Sequence, residues 1–161
     1  MLAMNDDGDR GGLDGLVLGR YGLYMVRPKV PKPRKTLPAV FYRTAAGNEP
    51  ARAELKGRDF DGGDRRLVGR DVAKVEFGWP GIVGHPTCEK LDGDLYAVRT
   101  HLPGNRIARV LFAPYEKRML LLRAFIKKAT DGIKTPRREI GLAERRFADA
   151  KARATTGRGK P

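Results

Sequence analysis

The stretch that decides the fold runs from Leu95 to Lys128. It opens Leu95-Tyr96-Ala97-Val98-Arg99-Thr100-His101-Leu102 and turns at Pro103-Gly104-Asn105. It continues Arg106-Ile107-Ala108-Arg109-Val110-Leu111-Phe112-Ala113, turns again over Pro114 to Lys117, and closes Arg118-Met119-Leu120-Leu121-Leu122-Arg123-Ala124-Phe125-Ile126-Lys127-Lys128. Three β-rich runs joined by such short connections predict an antiparallel meander. Strand side chains alternate between faces, so Ala97, Arg99 and His101 share one face of the first run. In the second, Ile107, Arg109 and Leu111 share a face. In the third, Met119, Leu121, Arg123, Phe125 and Lys127 alternate with Leu120, Leu122, Ala124, Ile126 and Lys128. The latter set is apolar almost to its end and is expected to lie under a helix.

Arginines at 99, 109 and 123 on neighbouring strands cannot be buried without partners, because desolvating each costs several kcal/mol. Only Glu116 supplies a carboxylate between residues 99 and 130. The pattern therefore predicts an open basic groove. Its alternative is pairing by Asp or Glu from the helices.

Outward from this stretch, Ala39-Val40-Phe41-Tyr42-Arg43 reads as a first strand. Glu49 to Lys56 reads as a short helix with Asn48 as its cap and Pro50 in its first turn. Asp64 can cap a longer helix over 65–77, where Val68, Val72, Val75 and Trp79 form an apolar stripe. A Gly/Pro-rich loop, Gly78 to Pro86, follows. Thr135-Pro136 starts a last helix whose Ile140, Ala143, Phe147 and Ala150 share a face. The order strand, two helices, three strands, helix predicts an α+β domain, one sheet with helices packed on it, over residues 38–154. Residues 1–37 read as an arm, first Gly/Asp-rich and then basic and proline-rich from Arg27 to Lys35, a polyproline-II pattern. Leu16 to Leu18 and Leu23 to Val26 could pair within it, and Met4 or Met25 could be the true start. Residues 155–161 read as a basic tail.

The 161 residues carry 33 Lys plus Arg against 19 Asp plus Glu, a formal +14. Residues 1–98 contribute a net +2 and residues 99–161 a net +12, so a polyanion-binding surface belongs to the C-terminal part. A basic face serving only solubility is the alternative. No run of about 18 apolar residues could span a membrane, and no basic start precedes an apolar stretch as in a secretion signal. Cys88 is the sole cysteine, which fits a reducing, cytoplasmic compartment and excludes a cysteine zinc cluster. Two histidines, His85 and His101, give little basis for a metal site, and no metal or cofactor is expected. The glycines from Gly8 to Gly15 match no phosphate loop, and Asp92 and Asp94 read as turn residues. His101 is either an acid–base group or a surface residue, and Phe125 either stacks on a base or packs in the core.

One set of motifs, in this order, is specific. Phe41-Tyr42-Arg43-Thr44 with Gly47 and Glu49-Pro50 is followed by Gly69-Arg70-Asp71 and Val75-Glu76-Phe77-Gly78-Trp79-Pro80. Leu95-Tyr96, Val98-Arg99, Arg106 to Phe112, Phe125-Ile126-Lys127-Lys128 and Lys134-Thr135-Pro136-Arg137 complete it. Over residues 37–152 the chain resembles the phage-derived branch of the RelE/HigB toxins of type II toxin–antitoxin systems. The resemblance implies a RelE-like fold and an mRNA interferase acting on message in the ribosome. It also implies a cognate antitoxin, often a helix-turn-helix protein, through which alone operator DNA is bound. The chemistry implied is metal-free attack of a ribose 2′-hydroxyl on the adjacent phosphate. Carried onto this chain, Arg99, Arg109, Lys127 and Lys128 would hold the phosphate and stabilise its charge, with His101 as acid–base group. Arg106, Arg123, Phe125, Lys134 and Arg137 would contact RNA. A non-catalytic nucleic-acid-binding or regulatory protein is the alternative. The chain departs from the family pattern at Ala97, where a glutamate is usual, and at Arg123, often histidine. The loops at Trp79-Pro80 and Lys128 to Lys134 are longer than usual.

Overall fold

The computed structural model describes residues 16–19, 22–25, 30–128, 132 and 134–158. The chain forms two units, Met1–Pro33 and Arg34–Pro161. In the first, β1 (Leu16–Gly19) and β2 (Gly22–Met25) pair as an antiparallel hairpin. The second contains β3 (Ala39–Phe41), α1 (Pro50–Lys56), α2 (Gly62–Gly78), β4 (Cys88–Lys90), β5 (Tyr96–Leu102), β6 (Arg106–Tyr115), β7 (Arg118–Lys128) and α3 (Arg137–Arg158). This is the expected α+β class, with β5, β6 and β7 as the antiparallel meander. The sheet order is β3-β7-β6-β5-β4, and β3 runs parallel to β7, so the sheet is mixed. The strand β4, antiparallel to β5, was not anticipated. Three residues beside a Gly/Pro-rich loop carry too little alternation to be read as a strand. No helix among the described residues is long and apolar enough to cross a membrane.

Both faces of the sheet are covered. On one, Val68 and Val75 of α2 pack against Val98, Ala108, Val110, Phe112 and Met119. Trp79, Tyr96 and Phe112 meet there, with Trp79 edge-on to both rings. On the other, Ala143 and Phe147 of α3 cover Ala97, Leu111, Ala113 and Leu122. The simple alternation expected for β7 is broken by a register shift opposite Leu111/Phe112. A bulge inserts one residue and reverses the parity beyond it. Met119, Leu121, Ala124 and Ile126 therefore lie in the α2-side cluster, while Leu120, Leu122 and Phe125 lie in the α3-side cluster. The helix-covered set read from sequence is thus split between two faces.

Helix α2 begins three residues before the expected start. Asp61 is its cap, accepting from Asp64 N–H, and Asp64 at the third helical position bonds back to the Asp61 N–H. Helix α1 is capped by Glu49 without a side-chain bond, not by Asn48. Helix α3 continues through Arg158, so residues 155–158, read as tail, are helical. From α2, Glu76 fixes the approach to β3: its carboxylate accepts from Lys35 and from the Ala39 N–H, and its carbonyl accepts from Thr36 and Leu37. Cys88 is buried, and that burial pushes its thiol up to about 11, which keeps it a neutral core residue.

Asp64 also receives two hydrogen bonds from Arg106 at 2.9 and 3.0 Å, tying α2 to the start of β6. These bonds, above all, hold its carboxyl below the usual aspartate value. A depressed folded value means the contribution is present above the ordinary carboxylate range and is lost as pH falls through about 4 and below. Asp64→Asn should lower the thermal midpoint near neutral pH and flatten its decline in acid. Parallel acid limbs for the two proteins would refute this role.

Candidate functional site

The α3-side face carries the residues singled out by sequence. Across β5, β6 and β7, Arg99 pairs with Arg109 and Arg109 with Phe125. One row on, His101 pairs with Ile107 and Ile107 with Lys127. Helix α3 covers the other end of this face and leaves these rows to the segment that precedes it. The register thus brings Arg99, His101, Arg109, Phe125 and Lys127 together as expected.

The open basic groove, however, is not what this face presents. Arg109 is only 1% exposed. Its guanidinium lies 3.6 Å from Glu89 of β4 and donates to the Thr135 hydroxyl ahead of α3. Burial, then the nearby positive charge of Arg99, depress its basicity, and Glu89 opposes them. Lys127 is 3% exposed and donates to the Lys134 carbonyl at 2.6 Å, pinning the segment before α3. Arg123 contacts Glu54 of α1 and Glu139 of α3, each at 2.6 Å. Burial works against its charge, but the two carboxylates outweigh it and raise its basicity. Arg106, one row beyond His101 at the start of β6, is held by Asp64. The acids missing from residues 99–130 arrive from α1, α2 and α3, as the alternative reading held, and for Arg109 from strand β4, which it did not foresee.

Arg99 is different. It is half-buried, its Nε is shielded from solvent, and no hydrogen bond or ion pair partners its guanidinium among the described residues. A guanidinium held beside a second one, with no acid of its own, is an anion-seeking group. His101 stands exposed two residues further on. Lys134 and Arg137 are also exposed, the Arg137 side chain by 93%. Both line a cleft of about 330 Å³ with Glu89, Thr135 and Ile140. Phe125 is half-buried at the margin of the α3 cluster, with the Arg123 guanidinium 5.9 Å from its ring centre. The Lys128 side chain lies outside the described residues.

Sequence reasoning missed Glu89. Its Oε2 is buried without a hydrogen-bond partner beside Arg109. The residue is register-paired with Ala97 and so shares the face of Arg99 and Arg109. The only signal for it was the strand pairing of β4, which short-range periodicity could not supply.

Fold and site together define a small α+β protein with a cation-rich patch at one end of a helix-covered sheet. The chain belongs to the family described as phage-derived protein Gp49-like (DUF891), whose model matches residues 57–148. That span starts after α1 and reaches into α3. No curated protein matches the sequence.

Proposed function

We propose that this protein is the toxin of a type II toxin–antitoxin pair, an mRNA interferase that cuts ribosome-bound message without a metal. Membership in a phage-derived, toxin-like family supports the class. The observation that carries the site is Arg99, a half-buried guanidinium with no acidic partner among the described residues. The scissile phosphate binds Arg99, and Lys134 and Arg137 engage neighbouring phosphates from the rim of the cleft. Arg109 beneath adds positive potential where the phosphorane gathers charge, as in an oxyanion hole. Glu89, supplying from the adjacent strand the carboxylate that Ala97 lacks, accepts the proton of the 2′-hydroxyl. The 2′-oxygen bonds to phosphorus, the bond to the 5′-oxygen breaks, and that oxygen takes a proton from His101. The products are a cyclic phosphate and a 5′-hydroxyl end. Lys127 positions the Lys134 segment, Lys128 belongs to the phosphate contacts, and Phe125 offers a ring for base stacking. Arg106 and Arg123 serve the fold. A cognate antitoxin, of helix-turn-helix type, neutralises the protein in the cytoplasm.

A second reading, a nucleic-acid-binding protein that does not cut, is favoured by the commitment of Arg106 and Arg123 to carboxylates. Induction in bacteria separates the two. The first reading expects growth arrest, with mapped message ends and relief of both by Arg99→Ala in a protein whose circular dichroism is unchanged. Arrest undiminished by Arg99→Ala would overturn the site. Intact messages together with tight, salt-sensitive RNA binding would favour the second reading.

A further inference from the structure

Helix α1 packs chiefly on β7, whereas α2 packs on β5. A groove of about 470 Å³ lies between the two helices, with β3 and β7 beneath it. Its floor is apolar, made by the half-buried Phe41, Leu55 and Val72 and the buried Val68 and Leu121. Its rim is charged: Lys35, Arg52, Lys56 and Arg65 stand around the floor, with Glu76 as the one carboxylate among the described lining residues. That carboxylate is already taken, by Lys35 at 2.9 Å and by the Ala39 N–H at 2.6 Å. Arg52 meets Glu49 at 2.8 Å, and its guanidinium lies 4.8 Å from the Phe41 ring centre. Lys56 on α1 and Arg65 on α2 are exposed and make no ion pair among the described residues; Arg65 donates only to the Phe60 carbonyl. Each wall of the groove therefore carries a cation without a carboxylate.

A second observation lies in the wall itself. Gly69, the first residue of the Gly69-Arg70-Asp71 motif, sits in the middle of α2 and lines the groove. Glycine in a helix interior costs stability relative to alanine. The fold does not require it, because a Cβ at this position would meet nothing within 4 Å. The missing side chain leaves a notch between Arg65 and Val72 where another chain can come against the helix backbone.

Filling such a groove takes an apolar surface, and the cations on both walls call for acidic residues on either side of it. An amphipathic helix whose apolar stripe is bordered by Asp and Glu supplies both. We propose that the groove between α1 and α2 docks an acidic amphipathic helix of a partner protein, with one large apolar side chain of that helix seated at Gly69. The adjoining edge of β3 offers an added strand little, since its Ala39 N–H is bound to Glu76. A polynucleotide would meet the rim and leave the apolar floor unfilled. A second copy would bring a chain of net charge +14 against a cationic rim. No residue of the groove takes part in the RNA chemistry, so the proposal holds whether or not the Arg99 face cuts RNA.

The test uses the full chain and a fluorescein-labelled helical peptide of about 18 residues, with a leucine stripe flanked by glutamates, read by anisotropy. A peptide of the same composition scrambled to destroy the stripe controls for unspecific attraction to a basic protein. An oligouridine is the competitor. The striped peptide should bind, the scrambled one should bind far more weakly, and oligouridine should displace neither label. Lys56→Glu should weaken the striped peptide about tenfold. Gly69→Leu should weaken it about tenfold as well by filling the notch, while keeping or raising the thermal midpoint, because leucine suits an open helix position better than glycine. Equal binding of the two peptides, or no binding of the striped one, would overturn the proposal. So would displacement by oligouridine, or full affinity in both Lys56→Glu and Gly69→Leu. A dimer of the full chain that Gly69→Leu dissociates would assign the groove to self-association and overturn it too.

Discussion

Replacing Glu89 with glutamine is expected to slow message cleavage by about two to four orders of magnitude while changing RNA affinity little. In the proposed mechanism the carboxylate works only as the 2′-oxygen attacks, so its loss would act on the turnover step. Glutamine preserves the side-chain volume and an oxygen beside Arg109. It cannot take up the proton, so Glu89→Gln and Glu89→Asp should differ: the aspartate retains partial turnover. A residue that merely balanced Arg109 would behave otherwise. Its loss would lower the unfolding midpoint and raise KM with kcat largely kept. Single-turnover cleavage of a ribosome-bound message, with separate RNA-binding isotherms, reads both quantities. If wild-type protein cuts and Glu89→Gln cuts equally fast, the proton acceptor lies elsewhere. If the wild type leaves every message intact, the nuclease reading itself fails.

Glu54→Ala should destabilise the fold by about 2–4 kcal/mol, the largest effect expected from a side chain that is neither apolar nor close to the Arg99 row. Beyond the end of β3, no strand among the described residues lies beside the outer flank of β7. There the Ala124 N–H donates to Glu54 at 2.8 Å, and the Leu122 carbonyl accepts from Arg146 of α3 at 2.7 Å. The same Glu54 carboxylate meets Arg123 and Arg146 at 2.6 and 2.9 Å. Removing it takes from Arg123 one of its two carboxylates and from Arg146 its carboxylate, leaving Glu139 and the Leu122 carbonyl, and it leaves the Ala124 N–H without its acceptor at the site of the bulge. Glu54→Gln keeps an acceptor for the N–H and should lose less. Urea unfolding of the two variants gives the comparison, and equal stability of Glu54→Ala and wild type would show that the cluster contributes nothing.

The meander, the apolar stripe of α2 and the covered face of α3 were all legible because each is written in local periodicity. Val68 and Val75, and Ala143 and Phe147, do what their spacing announced. What local reading could not supply is long-range pairing. Asp64 and Arg106 are 42 residues apart, and Glu54 and Arg146 are 92 apart. A count of acids near the arginines in sequence found almost none, yet Glu54, Asp64, Glu89 and Glu139 all reach them through the fold. The bulge in β7 was invisible for a related reason: Leu120-Leu121-Leu122 is apolar on either parity, so nothing marks where the alternation reverses. The rows through Arg99 and His101 were read correctly because β5 and β6 pair without interruption over that stretch.

The rims of the sheet have a further consequence. Its long strands, of 7, 10 and 11 residues, lie in the interior, while the two outermost are three residues each. Another copy approaching side-on thus meets stubs, and on the β7 flank beyond β3 the Ala124 N–H and Leu122 carbonyl are taken by Glu54 and Arg146. Such truncation discourages ribbon-like stacking of identical chains. Rims this short leave identical chains little backbone to share.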